Sequence, residues 1–114
     1  MPRAVATSDV FAAVGEPRRR EILVHLAPRE QTVTDIVGVL GLAQPSVSKH
    51  LKVLRDAGLV AARREGRQVY YRTNVDALRP LHDWAAIFER YWRHQLARVK
   101  ERAERPPSGK GGKP

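Results

Sequence analysis

The sequence predicts a mainly α-helical chain carrying one small β-hairpin. Three observations point there. Apolar residues recur at three- and four-residue steps from Val10 to Leu54 and again from Leu81 to Val99, the period of helices with one buried face. Between those regions the period changes to two, across residues 59–63 and 68–73, with Gly66 in the turn. Proline and glycine fall at the margins of the helical segments, Pro17, Pro45 and Pro80 near starts and Gly15, Gly41 and Gly58 near ends.

Each element follows in order. Thr7 or Ser8 is placed to cap a first short helix whose Val10, Phe11 and Val14 share a face, and Gly15 ends it. Pro17 suits the first position of a second helix, with Arg18, Arg19 and Arg20 around its first turn and Ile22, Leu23 and Leu26 facing a core; Pro28 stops it. Thr34 is the expected cap of a third helix carrying Ile36, Val37 and Leu40, and Gly41 supplies a left-handed exit. A fourth helix opens at once, with Pro45 in its first turn. Its Val47, Leu51 and Leu54 form one apolar stripe, and Gly58 closes it. Two strands follow around Arg64-Glu65-Gly66-Arg67. Pro80 then opens one long helix to about residue 103, in which Leu81, Trp84, Phe88, Trp92, Leu96 and Val99 make a stripe edged by Tyr91. This order describes a winged helix-turn-helix with an added terminal helix. The expected organisation is a flexible N-terminus over 1–7, the winged helix-turn-helix domain with its C-terminal dimerisation helix over 8–104, and a disordered basic tail over 105–114.

Composition narrows what such a chain does. Its 114 residues suffice for one compact domain with a modest core, a size at which dimerisation often supplies missing burial. No cysteine is present, so disulfides, thiolate nucleophiles and thiolate metal ligands are excluded. No stretch approaches the roughly 18 apolar residues of a membrane helix. The opening MPRAVA lacks the long apolar centre of a secretory signal, so a cytoplasmic location is expected. The net charge is +9, and Lys49, Lys52, Arg55, Arg63, Arg64, Arg67 and Arg72 stand against only Asp56 and Glu65 in residues 43–72. More than half the net charge sits in this segment, which favours a polyanionic partner.

The fourth helix shows how that partner would be read. A helix that only fills a core does not need Gln44, Ser46, Ser48 and Lys49 in its first turns. One that presents its N-terminal end to the major groove does. Gln44 pairs well with adenine and Lys49 with guanine, while Ser46 and Ser48 reach bases or phosphates. Lys52 and Arg55 lie further along, where they meet the DNA backbone. Arg64 and Arg67 at the hairpin tip are placed for the adjacent minor groove or its phosphates. His50, at the edge of the apolar stripe, is expected to pack rather than to contact DNA.

The run "LGLAQPSVSKHLKVLRDAGLV", with "GEPRRREIL" before it and "RREGRQVYYR" after it, resembles the ArsR (arsenical-resistance repressor) family of bacterial winged-helix regulators. The likeness covers about residues 8–100. It implies a homodimer that binds double-stranded DNA at an imperfect inverted repeat and represses transcription, often of its own operon. The closing "LHDWAAIFERYWRHQLARV" resembles a cysteine-free, non-metal-sensing branch with an aromatic terminal helix, whose dimer interface would here use Leu81, Trp84, Phe88, Tyr91, Trp92, Leu96 and Val99. Family metal sensors carry a cysteine pair on the helix before the turn, where this chain reads "VTDIVGVL". A second family metal site lies on the terminal helix; here His82 and His94 are one step off its spacing, Pro80 stands at its acidic position and Ala97 at its last ligand. No metal and no cofactor are therefore expected, and three alternatives stay open for the effector: an unknown small molecule, a partner protein, or none.

Two other readings compete. One is a winged helix that binds protein or RNA without a DNA operator, against which the lysine-rich polar face argues, since protein-interface cores are depleted in lysine. The other is an enzyme. No nucleophile–base pair, paired carboxylates or glycine-rich phosphate loop is present, and the neighbours His82 and Asp83 project about 100° apart on a helix. A catalytic role is not expected.

Overall fold

The computed structural model of the protein describes residues 7–104, and the chain divides between His82 and Asp83 into two compact units. The expectations of a flexible N-terminus and a disordered tail over 105–114 lie outside the described residues, except that Thr7 already belongs to the first helix. The side chains of Thr7 and Ser8, expected to cap it, also lie outside them.

Helices α1 (Thr7–Ala13) and α2 (Pro17–Leu26) are joined by a turn that arginine side chains close. Arg19 Nε donates to the Ala13 carbonyl at 2.7 Å and an Arg20 guanidinium nitrogen to the Val14 carbonyl at 2.8 Å. These bonds satisfy carbonyls left without partners at the end of α1. Glu16 caps α2 by accepting from the Arg18 and Arg19 amides at 2.7 and 3.2 Å.

Helix α3 (Val33–Leu40) starts two residues earlier than a Thr34 cap requires. The cap is Thr32: its hydroxyl accepts from the Asp35 amide at 3.2 Å, and the Asp35 carboxylate accepts from the Thr32 amide at 3.1 Å. The reason lies just before it. Gln31 is paired to the hairpin in extended conformation, so the chain turns helical as soon as that pairing ends. Gly41, with φ 69°, makes the expected left-handed exit, and Leu42 and Ala43 complete the turn to α4 (Gln44–Asp56).

Helix α4 buries Val47, Leu51 and Leu54 at 0–2% exposure. Its end is fixed by two bonds, Gly58 N–H to the Arg55 carbonyl and Leu59 N–H to the Leu54 carbonyl, both 2.9 Å. With Gly58 at φ 79°, this is a Schellman motif in which Leu54 and Leu59, both fully buried, make the accompanying apolar contact. The motif takes Leu59, so strand β1 (Val60–Glu65) begins one residue later than expected. It pairs antiparallel with β2 (Gln68–Thr73) from Val60↔Thr73 to Glu65↔Gln68. The expected four-residue loop shrinks to Gly66-Arg67, because Arg64 and Glu65 stay in the ladder and Gly66 adopts φ 63°.

The core draws Val10 and Ala13 from α1, Ile22, Leu23 and Leu26 from α2, Ile36 from α3, the α4 stripe, and Leu59 with Val60. The hairpin is tied down near its base. Gln31 and Tyr71 exchange backbone bonds of 2.9 and 2.7 Å, and the buried Thr73 hydroxyl donates to the Leu23 carbonyl at 2.7 Å. Helix-turn-helix and wing are present as expected.

The long terminal helix is interrupted. A 3-10 turn (Val75–Leu78) leads into α5 (Arg79–Ala86), and α6 (Glu89–Glu104) follows. Between them the Ile87 and Phe88 amides bond three residues back, to Trp84 and Ala85, at 3.2 and 3.0 Å. This local tightening ends the α-helical ladder. Neither glycine nor proline marks the position, so composition gave no sign of it.

Candidate nucleic-acid interface

With its stripe inside, α4 leaves Gln44, Ser48 and Lys49 exposed, and Ser46 half-buried beside Val47. Unlike α2 and α3, this helix has no side-chain cap; its N-cap position is Ala43. The Ser46 amide, third in its first turn, therefore lacks the side-chain acceptor that Glu16 and Thr32 supply at the same place elsewhere, an arrangement suited to an anion. Further along, Lys52 and Arg55 are exposed, and Lys52 Nζ rests 3.2 Å from Asp56 in a solvent-exposed pair. His50 is half-buried, in keeping with packing.

The hairpin sorts its arginines by face. Residues two apart share a face of a strand, so Arg64 lies on the side of Val60 and Ala62, and Arg63 on the other with its cross-strand neighbour Tyr70. Arg63 is heavily engaged. Its Nε lies 2.9 Å from both Glu30 carboxylate oxygens, a terminal nitrogen also bonds Glu30, another bonds Glu65 at 2.7 Å, and its guanidinium stands 4.9 Å over the Tyr70 ring. The hydrogen-bonded Arg63 holds the Glu30 carboxyl below the usual carboxylate range, with Arg72 adding to the effect, and Arg63 is raised in turn. Arg64 and Arg67 are exposed, and among the described residues no salt bridge engages either one or Lys49 or Arg55.

The seven basic residues read from the sequence are thus not equivalent. Lys49, Arg55, Arg64 and Arg67 are open to an anion, Lys52 shares an exposed carboxylate, Arg72 is exposed with its charge felt by Glu30, and Arg63 is spent within the protein. Sequence reasoning missed Glu30 and Gln31. No motif signals a contact between a loop acid and a strand arginine 33 residues later.

In the second unit, Trp84, Phe88, Tyr91, Trp92, Leu96 and Val99 are all exposed, Phe88 least, and Ile87 joins them unpredicted. Trp84 and Phe88 meet edge to face with centroids 5.3 Å apart, and Phe88 and Tyr91 at 6.5 Å. Leu81 departs from this set: it packs half-buried against the core of the first unit, because α5 starts while the chain still lies on that core.

Among the described residues no three histidine, aspartate or glutamate side chains gather where a metal ion would sit. No described helix is long and apolar enough to cross a membrane.

Comparison with known proteins sets this geometry in context. Residues 16–62 match the family described as bacterial regulatory protein, arsR family. The transcriptional repressor SdpR of Bacillus subtilis is 33% identical over 81 residues, covering 71% of this chain and 90% of that protein. An ArsR-like transcriptional regulator from Rhodococcus sp. RHA1 superposes with a TM-score of 0.64 at 30% identity, over 86% of this chain and 92% of that one. A homodimeric winged helix-turn-helix DNA-binding domain from Mycobacterium bovis, solved in solution, gives a TM-score of 0.62 at 34% identity, over 72% and 77% of the two chains.

Proposed function

The chain belongs to the ArsR family of bacterial regulatory proteins, and from that premise we propose that it is a homodimeric transcriptional repressor that binds an imperfect inverted repeat in the DNA upstream of its own operon. The observation that carries the reading is the division of α4, with its apolar stripe fully inside and an uncapped, polar N-terminal turn outside. Gln44, Ser48 and Lys49 read base edges, with the half-buried Ser46 in support. Lys52 and Arg55 grip the phosphate backbone, Lys52 exchanging Asp56 for a phosphate. Arg64 and Arg67 carry the wing's contact. The exposed stripe from Trp84 to Val99 pairs with its symmetry mate, which sets two recognition helices about 34 Å apart or a multiple of that. With no cysteine among the 114 residues, a thiolate-bound metal does not serve as the release signal.

A gel-shift comparison of upstream duplex with scrambled duplex tests this. Binding should favour the upstream DNA at physiological salt and fall steeply as salt rises. Gln44→Ala and Lys49→Ala should lower the discrimination by roughly 1–3 kcal/mol, whereas Arg67→Ala should weaken both duplexes alike and reduce the salt slope by about 1. Equal affinity for the two duplexes would remove the operator from the account.

A further inference from the structure

The wing is a lever. Only its base is buried, at Val60 and Thr73, and its tip at Gly66-Arg67 stands beyond six residue pairs. At about 3.3 Å per residue the arm is roughly 17 Å long, so a swing of about 10° at the base moves the tip by about 3 Å, a full hydrogen-bond length. A two-stranded hairpin has little stiffness of its own. Something else must set its angle.

Two neighbouring residues of the α2–α3 connection are in place to do so. Gln31 joins Tyr71, in the third pair from the base, through two backbone bonds, and its buried side chain is anchored on the His25 carbonyl at 3.1 Å. Glu30 reaches one pair further out and holds the Arg63 guanidinium on its Nε edge, while Glu65 and Tyr70 hold its other edge and its face. Among the described residues this is the outermost bond between the hairpin and the rest of the first unit. The next residue is Thr32, the cap of α3, so one short segment fixes the start of the helix-turn-helix and the angle of the wing together.

We propose that Glu30 is a positioning residue for DNA binding: it touches no DNA, but through Arg63 it holds the wing where Arg64 and Arg67 meet the duplex. The pair is partly solvent-exposed, with 50% of the Arg63 side chain and 31% of the Glu30 side chain accessible, so its contribution to fold stability is small. Its effect is on the angle. The inference rests on the reading of the wing as a DNA contact.

The sign of one substitution separates positioning from simple charge. Glu30→Gln removes a negative charge, which by electrostatics alone strengthens binding to any DNA. Positioning gives the opposite: operator affinity of the full-length protein falls by roughly two- to fivefold, the range of an exposed ion pair, while thermal stability scarcely changes. In an Arg64→Ala/Arg67→Ala background the same substitution no longer weakens binding, since the lever has nothing left to deliver. The exchange Glu30→Arg with Arg63→Glu restores affinity. Tighter binding to upstream and scrambled duplex by one common factor overturns the proposal, as does an equal loss with and without the wing arginines. If Arg64→Ala/Arg67→Ala itself leaves operator affinity unchanged, the wing reading fails and this inference with it; if that variant binds weakly while Glu30→Gln binds normally, the inference fails alone.

Discussion

Helices α4 and α6 carry apolar stripes of the same spacing, and only one of them is finished. In α4, Val47, Leu51 and Leu54 are 0–2% exposed; in α6, Trp92, Leu96 and Val99 are 50–65% exposed. The first stripe is covered by α1, α2, α3 and the hairpin base, which together close a core. The second has aromatic neighbours on its own segment and a surface otherwise of charged residues such as Glu89, Arg90, Arg93 and Arg98. An apolar patch left this open on a small monomer marks an interaction surface. The same sequence signal therefore has two destinations. Burial within the chain gives a fold, and the burial between chains proposed for α6 would give an assembly.

The largest expected effect comes from charging the unfinished stripe. Trp92→Glu should shift the protein to monomer in sedimentation and abolish operator binding, while the helical signal and thermal transition of the winged helix persist. A Trp92→Glu protein that stays dimeric with normal affinity would move the dimer seam elsewhere. Next comes one substitution made in both stripes. Leu54→Ala should cost about 2–5 kcal/mol in chemical denaturation at any protein concentration, the range for a buried leucine. Leu96→Ala should instead act on the dependence of stability on concentration, because in the proposed dimer its burial arises only on association. Equal, concentration-independent losses would erase the distinction. The smallest effect stays within the first unit. Thr32→Ala should cost about 1 kcal/mol through the lost cap and leave the dimer intact. Its pH signature follows from Asp35, held below the ordinary aspartate value of 3.8 by the Thr32 amide and then by its hydroxyl. A depressed carboxylate contributes fully above its unfolded pKa and loses that contribution as pH falls through the lowered one. Thr32→Ala removes the hydroxyl's share and keeps that of the amide, so the decline in stability below about pH 4 should become shallower without disappearing.

What the sequence disclosed was what local pattern controls. The α4 stripe, the Gly41 and Gly58 exits and the Pro17 and Pro45 starts follow from period and backbone preference, and all stand as read. The misjudged features depend on partners distant in sequence. Thr34 lost the cap to Thr32 because Gln31 pairs with Tyr71, forty residues on. Leu81 looked like the start of the exposed stripe until the first unit's core claimed it. The break at Ile87 and Phe88 spares the apolar spacing and carries no helix-breaking residue, so nothing in the pattern registers it. In the candidate interface, exposure of Gln44, Ser48, Lys49, Arg64 and Arg67 was legible from helix and strand geometry. That Arg63 is engaged by Glu30 was not, since a basic residue reads alike whether it faces a phosphate or a carboxylate.

The arginine clasp on α1 bears on how the molecule comes apart. Seven residues are too few to sustain a helix alone, and the carbonyls at the end of α1 are held by side chains rooted in α2. Helix α1 is therefore a dependant, able to peel away while α2 persists but unable to outlive it. Native-state exchange would find its amides among the earliest to open, with those of α4 retained to the end. In an Arg19→Ala protein the early event should come sooner still, and the late one at its usual time.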